Sequence, residues 1–161
     1  MKTTGIIIIT WLFTLNGLSQ NLTIDETLKY LTELCSSESF EDTEYIFSKV
    51  ESKIQIQMIS FAPNYNKRCT TLLVVDIRYL KELREESFKN VYGKMVYSVK
   101  YYMSSKTIKF SDDCNTNSGY ADQWEVQLAS HEPTERFIKA FTYLKNKMLI
   151  AYPLKTDPFK K

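Results

Sequence analysis

The sequence predicts an α+β fold in which an N-terminal helix, an antiparallel sheet or partly closed barrel of about six strands, and a C-terminal helix follow one another. Three observations carry this. Apolar residues recur with a helical period near the start and again near the end of the chain. Between those segments the period falls to two, as in strands with one face on a core and one in water. The alternating runs are short and separated by stretches rich in Asn, Asp, Ser and Pro, the spacing of antiparallel rather than crossover connections.

The first helix is expected over Ile24 to Cys35. Thr23 and Glu26 have the spacing of a capping box, and Ile24, Leu28, Leu31 and Cys35 fall on one face. The serines and acids of "CSSESFEDTE" end it in a solvated loop. From Tyr45 the pattern is strand-like. In "SKIQIQMIS", Ile54, Ile56 and Met58 share one face while Gln55 and Gln57 share the other. The turn-like "APNYNK" joins this run to "CTTLLVVDI", and a hairpin is the economical reading.

In "IRYLKELREESFKN", Ile77, Leu80 and Leu83 recur every third residue, which predicts one or two helical turns before the sheet resumes at "KMVYSVKYYM". There Met95, Tyr97, Val99, Tyr101 and Met103 alternate with Val96, Ser98, Lys100 and Tyr102. The short "TIKF" follows. After the polar turn "SDDCNTNSGY", the segment "DQWEVQLAS" places Trp124, Val126 and Leu128 inward. The second helix is expected over "EPTERFIKAFTYLKNKM", with Pro133 at its first position and Phe137, Ala140, Phe141, Leu144 and Met148 as a core-facing stripe. Lys145 and Lys147 are then expected near its C-terminal dipole. An extended tail is expected from about residue 150, where two prolines follow.

The opening "MKTTGIIIITWLFTLNGLSQN" reads as a secretory signal peptide over residues 1–19. Lys2 gives the positive start, Ile6 to Leu15 the apolar run, and Gly17 and Ser19 the small residues before a cut ahead of Gln20. Asn16 breaks the run too early for a helix that spans about 30 Å of hydrocarbon. Residues 20–161 then form a single domain whose 20 Lys plus Arg are balanced by 19 Asp plus Glu. The two signs are interspersed, so the sequence shows no obvious field for nucleic acid or an anionic membrane, and no stable membrane span is expected after cleavage. A periplasmic or extracellular address gives the cysteine count meaning. Of the three, Cys69 and Cys114 lie at the ends of turn-rich stretches and are the favoured disulfide, whereas Cys35 lies on a helical apolar stripe and suits burial as a free thiol.

Chemistry-bearing motifs are sparse. Only Gly93 and Gly119 follow the signal segment, too few for a dinucleotide fingerprint or a phosphate-cradling loop, and no cofactor is expected. The single histidine, His131, excludes paired-His zinc motifs and leaves Cys35 or a serine as its only conceivable nucleophilic partners. Asp113, Asn115 and Asn117 alternate oxygen ligands as a calcium loop does. Ser118 and Trp124 stand where that loop wants glycine and glutamate, so a polar turn is the expected reading and no metal site is assigned. Adjacent Tyr101 and Tyr102 must point to opposite faces of a strand, which makes Tyr102 the candidate for an exposed binding surface.

The ending "LSQN", the "LTIDETLKYL" helix, the strand-rich middle with "VVDIRYL" and the closing "ERFIKAFTYLKNKM" together resemble small uncharacterised exported proteins of Bacteroidota type. Several strands followed by one terminal helix also resemble a pleckstrin-homology-like barrel, from which the extra N-terminal helix departs. Neither resemblance implies an activity or transfers a functional residue. The expectation is a non-enzymatic exported binding or assembly module whose ligand is a protein, peptide or glycan of the cell envelope. Its surface is expected at an open sheet edge or near Tyr102. The alternatives are a small hydrolase using carboxylates or His131, and a structural envelope protein in which Cys35 pairs between chains.

Overall fold

The computed structural model describes residues 22–40 and 43–154. The expected signal segment and the end of the expected tail lie outside the described residues. Helix α1 spans Ile24–Ser37 and carries the anticipated capping box: Glu26 N–H donates to Thr23 Oγ1 at 3.2 Å, and Thr23 N–H donates to Glu26 Oε2 at 2.8 Å. Helix α2 spans His131–Ala151, longer at both ends than the sequence pattern indicates. Pro133 therefore lies within its first turn rather than opening it, and the last turn contains no basic residue. Lys145 instead reaches sideways, its Nζ donating to Leu80 O at 2.7 Å.

Among the described residues, eight strands lie between the helices: β1 (Glu44–Val50), β2 (Lys53–Ala62), β3 (Lys67–Val75), β4 (Leu80–Lys89), β5 (Met95–Met103), β6 (Ile108–Asp112), β7 (Ser118–Ala121) and β8 (Gln123–Leu128). They form two open antiparallel sheets, a five-stranded one in the order β1-β2-β3-β6-β7 and a three-stranded one in the order β4-β5-β8. The expected hairpin of β2 and β3 is present, with Ile54 paired to Val75 and Ala62 to Lys67.

Two strands differ from expectation. The segment expected to make one or two helical turns makes a single 3-10 turn, Ile77–Tyr79, and continues as β4. Leu80 and Leu83 are three residues apart and would face opposite ways in a regular strand. The register of β4 on β5 shifts between Leu80 and Glu82, so Lys81 is an inserted residue and both leucines turn inward, opposite Met103 and Tyr101. A bulge thus imitates helical spacing in sequence. Strand β7 emerges from the end of the polar turn because Phe110 pairs with Gly119. A β-carbon there would meet the Phe110 ring at 3.2 Å, so glycine lets the ring lie against the backbone.

One core joins both sheets to both helices. Leu28, Leu31 and Cys35 of α1 and Phe137, Phe141, Leu144 and Met148 of α2 meet Ile54, Ile56, Leu73, Val99, Tyr101 and Val126 of the sheets. Ala140, expected on the buried stripe, is only partly buried against it. In β5 the inward phase holds from Val99 to Met103, but nearer its start Val96 and Ser98 of the other face are buried while Met95 is exposed.

Helix α1 also closes the free edge of β1. The Phe47 N–H donates to Thr32 Oγ1 at 2.9 Å, and Ser36 Oγ accepts from Tyr45 N–H at 3.2 Å while donating to Tyr45 O at 2.9 Å. Side-chain hydroxyls thus stand where a further strand would pair, which protects the edge from other chains. Between the sheets, the crossing from β3 to β4 is held by Asp76 and Arg78. Arg78 Nε and Nη2 donate to the two Asp76 carboxylate oxygens at 2.7 and 2.6 Å, and Nη1 donates to Tyr152 O, at the C-terminal cap of α2, at 2.9 Å. No helix among the described residues is long and apolar enough to cross a membrane.

Candidate functional site

The outward face of the three-stranded sheet is built by register. Glu82 lies opposite Tyr102, which lies opposite Gln123; Arg84 lies opposite Lys100, which lies opposite Glu125. At the β4 bulge these rows open into a cleft of about 360 Å³, lined by Lys81, Glu82 and Arg84 of β4, Tyr102 and Met103 of β5, and Asp122 and Gln123 at the start of β8. Tyr102 is partly exposed, as its alternation with buried Tyr101 requires. The Arg84 guanidinium carbon stands 5.2 Å from the Tyr102 ring centroid, within cation-π range, and its Nη2 donates to Glu82 Oε2 at 3.0 Å. That hydrogen bond, together with the charge of Glu82, holds Arg84 more firmly protonated than usual. The cleft therefore presents one aromatic face beside fixed donors and acceptors of both signs.

Below it, Lys100 Nζ donates to Glu86 Oε2 at 2.6 Å and Gln127 Nε2 to Glu125 Oε1 at 2.8 Å. The polar face is thus internally paired. Of the cleft residues only Tyr102 was marked by the sequence. Lys81, Arg84, Asp122 and Gln123 carry no local signal, because the register of three strands is what brings them together.

His131 lies elsewhere, at the start of α2. Its Nδ1 is 2.5 Å from Glu85 Oε1 and its Nε2 is 3.5 Å from Glu135 Oε1. The Glu85 hydrogen bond and the carboxylate charges raise its pKa above the ordinary 6.5. Both ring nitrogens face carboxylates, an arrangement that favours a cation over a free base. Cys35, its one cysteine candidate as a nucleophilic partner, is sealed in the core, where burial pushes the thiol up and keeps it protonated. Buried this way, Cys35 is also out of reach of a bridge to another chain.

Cys69 and Cys114 stand at disulfide distance, with Cα atoms 5.6 Å apart. They tie the start of β3 to the turn between β6 and β7. Asp113, whose Oδ1 accepts from Thr70 N–H at 2.9 Å, has a carboxylate oxygen within 4.8 Å of both sulfurs, but sulfurs bonded to one another offer a cation no thiolate. Each of the three calcium-loop candidates has a hydrogen-bond partner in or beside the turn. Asn115 Oδ1 accepts from Tyr65 Oη at 2.5 Å, and Asn117 contributes its backbone carbonyl to the Asp112 N–H at 2.8 Å. Asp112, unmarked in the sequence, organises the turn. Its Oδ1 accepts from the Asn115 and Cys114 N–H groups at 2.8 and 2.9 Å, and these bonds, with one from Thr71, hold its carboxyl below the usual aspartate value.

A second, more apolar groove of about 520 Å³ runs between α1 and β1, floored by Leu28 and Phe47 and rimmed by Asp25, Lys29, Glu33 and Lys49. Comparison of the chain with protein-family models, with curated proteins and with solved structures returned no match.

Proposed function

We propose that this chain is an exported, non-enzymatic binding module that takes a peptide or glycan of the cell envelope in the Tyr102 cleft. The observation that carries the reading is the cleft itself: an aromatic face flanked by Arg84, Glu82, Lys81, Asp122 and Gln123, whose rims are fixed by strand register rather than by mobile loops. An aromatic surface beside convergent polar groups suits a ligand with both hydroxyl or amide edges and apolar faces. The paired charges support binding over catalysis, since general acid-base work needs groups whose environments separate their pKa values. Export is supported by the Lys2, Ile6 to Leu15 and Gly17/Ser19 pattern and agrees with a disulfide-distance cysteine pair, which persists in oxidising compartments.

The test of the site is amide chemical-shift mapping with a panel of soluble peptidoglycan fragments, neutral oligosaccharides and short peptides. Shifts should cluster at residues 81–84, 102 and 122–123, and Tyr102→Ala should weaken binding about tenfold, the effect of losing one well-stacked aromatic. Shifts confined to other surfaces would refute it, as would turnover of a panel member that disappears in His131→Ala. The address is tested separately by N-terminal sequencing of the exported product, expected to begin at Gln20; Met1 on that product would overturn it.

A further inference from the structure

The β4–β5 hairpin ends in the most exposed apolar side chains of the described residues, Val91 at 92% and Tyr92 at 87%. A turn that merely reverses the chain has no need of either. This one is held firmly. Asn90 Oδ1 accepts from the Tyr92 and Lys94 N–H groups at 3.0 and 2.9 Å, Asn90 N–H donates to Lys94 O at 2.9 Å, and Gly93 N–H donates to Asn90 O at 2.9 Å. Gly93 supplies the left-handed backbone, φ 75°, that this closure needs. Val91 and Tyr92 are therefore projected by a built turn.

The apolar surface continues around the hairpin. Phe88 pairs with Val96 on one face and Met95 pairs with Lys89 on the other, and both Phe88 and Met95 are exposed. A groove on a partner protein needs an apolar stripe on one side only. Apolar side chains at the tip and on both faces suit a medium that surrounds the tip. From Ser87 to Tyr97 the chain also carries Lys89 and Lys94 and no carboxylate, although the chain beyond residue 19 is nearly neutral. Local charge here differs from the overall balance. Lys94 lies back along the hairpin, its Nζ 4.9 Å from the Phe40 ring centroid. An apolar tip with lysines set behind it matches the layering of a bilayer interface, in which aromatic and aliphatic groups enter the headgroup boundary and ammonium groups stay at the phosphates.

We propose that the Phe88–Met95 hairpin tip docks on an anionic lipid surface, with Val91 and Tyr92 entering the interface and Lys89 and Lys94 pairing with lipid phosphates. The cleft lies toward the opposite end of the same two strands, about 30 Å from Val91 and Tyr92 at the rise of a strand. Docking by the tip would hold the cleft clear of the membrane.

The test is cosedimentation with large unilamellar vesicles of phosphatidylcholine containing 30 mol% phosphatidylglycerol, beside vesicles of phosphatidylcholine alone. Wild type and variants are compared at the same chain length, so that residues 6–15, where present, contribute equally. Wild type should favour the anionic vesicles and lose binding as salt is raised. The Val91→Ser/Tyr92→Ser and Lys89→Glu/Lys94→Glu variants should each bind at least tenfold more weakly. All four residues lie at an exposed hairpin end, so melting temperature should stay near that of wild type, and a variant that fails this check is replaced by Tyr92→Ser alone. Equal binding by wild type and the tip variants would overturn the proposal. Failure of wild type to bind anionic vesicles, binding indifferent to lipid charge and salt, or tip-dependent self-association without lipid binding would do so too.

Discussion

Arg78 shows what one residue can hold together. Its guanidinium is the hub at which the crossing between sheets, the Asp76 carboxylate, Ser52 of the β1–β2 turn and the C-terminal cap of α2 meet. Both members of the pair are largely withdrawn from solvent, with 14% and 8% of their side chains exposed. Arg78→Ala should therefore cost about 3–5 kcal/mol in urea unfolding, because Asp76 would be left buried and unpaired. His131 makes a pH-dependent contribution of the opposite kind, on the surface. Its folded pKa lies above 6.5, so the stabilisation from Glu85 and Glu135 is full below pH 6.5 and disappears as pH rises through the raised value. Proton NMR titration should place its midpoint above 6.5, and Glu85→Gln should bring that midpoint down. The sequence contained "VVDIRYL" in plain view, yet nothing in it announced the Asp76–Arg78 clamp, because an acid and a base two residues apart become a buried pair only across a 3-10 turn.

At the scale of elements, α1 is both a core component and an edge cover. Thr32 and Ser36 sit one turn apart on it and satisfy the backbone of β1 that faces away from β2. Thr32→Val keeps the shape and removes the acceptor for Phe47 N–H. It should cost about 1–2 kcal/mol. Combined with Ser36→Ala it should expose a pairing edge, seen as concentration-dependent self-association in light scattering. Helix α1, the β2–β3 hairpin and most of α2 were legible in the sequence, since each hides one face from water along its own length. Strand β4 was not, because its inserted Lys81 moved Leu83 into helical spacing with Leu80. Strand β7 was hidden by a glycine whose reason for being there is the ring of Phe110 on another strand.

At the scale of the whole molecule, the chain passes between two sheets and returns to close the core with α2. The Cys69–Cys114 pair spans a sequence separation of 45 residues, a loop that contains β4, β5 and the crossings between sheets. Closing a loop of that length restricts the unfolded chain by about 4 kcal/mol in the chain-entropy view. Reduction, or Cys69→Ser with Cys114→Ser, should lower unfolding stability by about that amount while leaving the far-ultraviolet circular dichroism of the folded form unchanged. The same topology separates the Tyr102 cleft and the Val91–Tyr92 tip to opposite ends of one hairpin, although both belong to strands β4 and β5 or their turn.

The sequence by itself determined the α+β class, both helices, the hairpin of β2 and β3, the burial of Cys35 and the partial exposure of Tyr102. Each follows from periodicity, which is a property of one segment meeting water on one side. Only the tertiary structure decided which side chains surround Tyr102, that Asp112 organises the turn suggestive of a calcium loop, and that an isolated histidine lies between two carboxylates. Those arrangements depend on register and on contacts between residues as far apart as Glu85 and His131, and a local pattern carries no record of its distant partner.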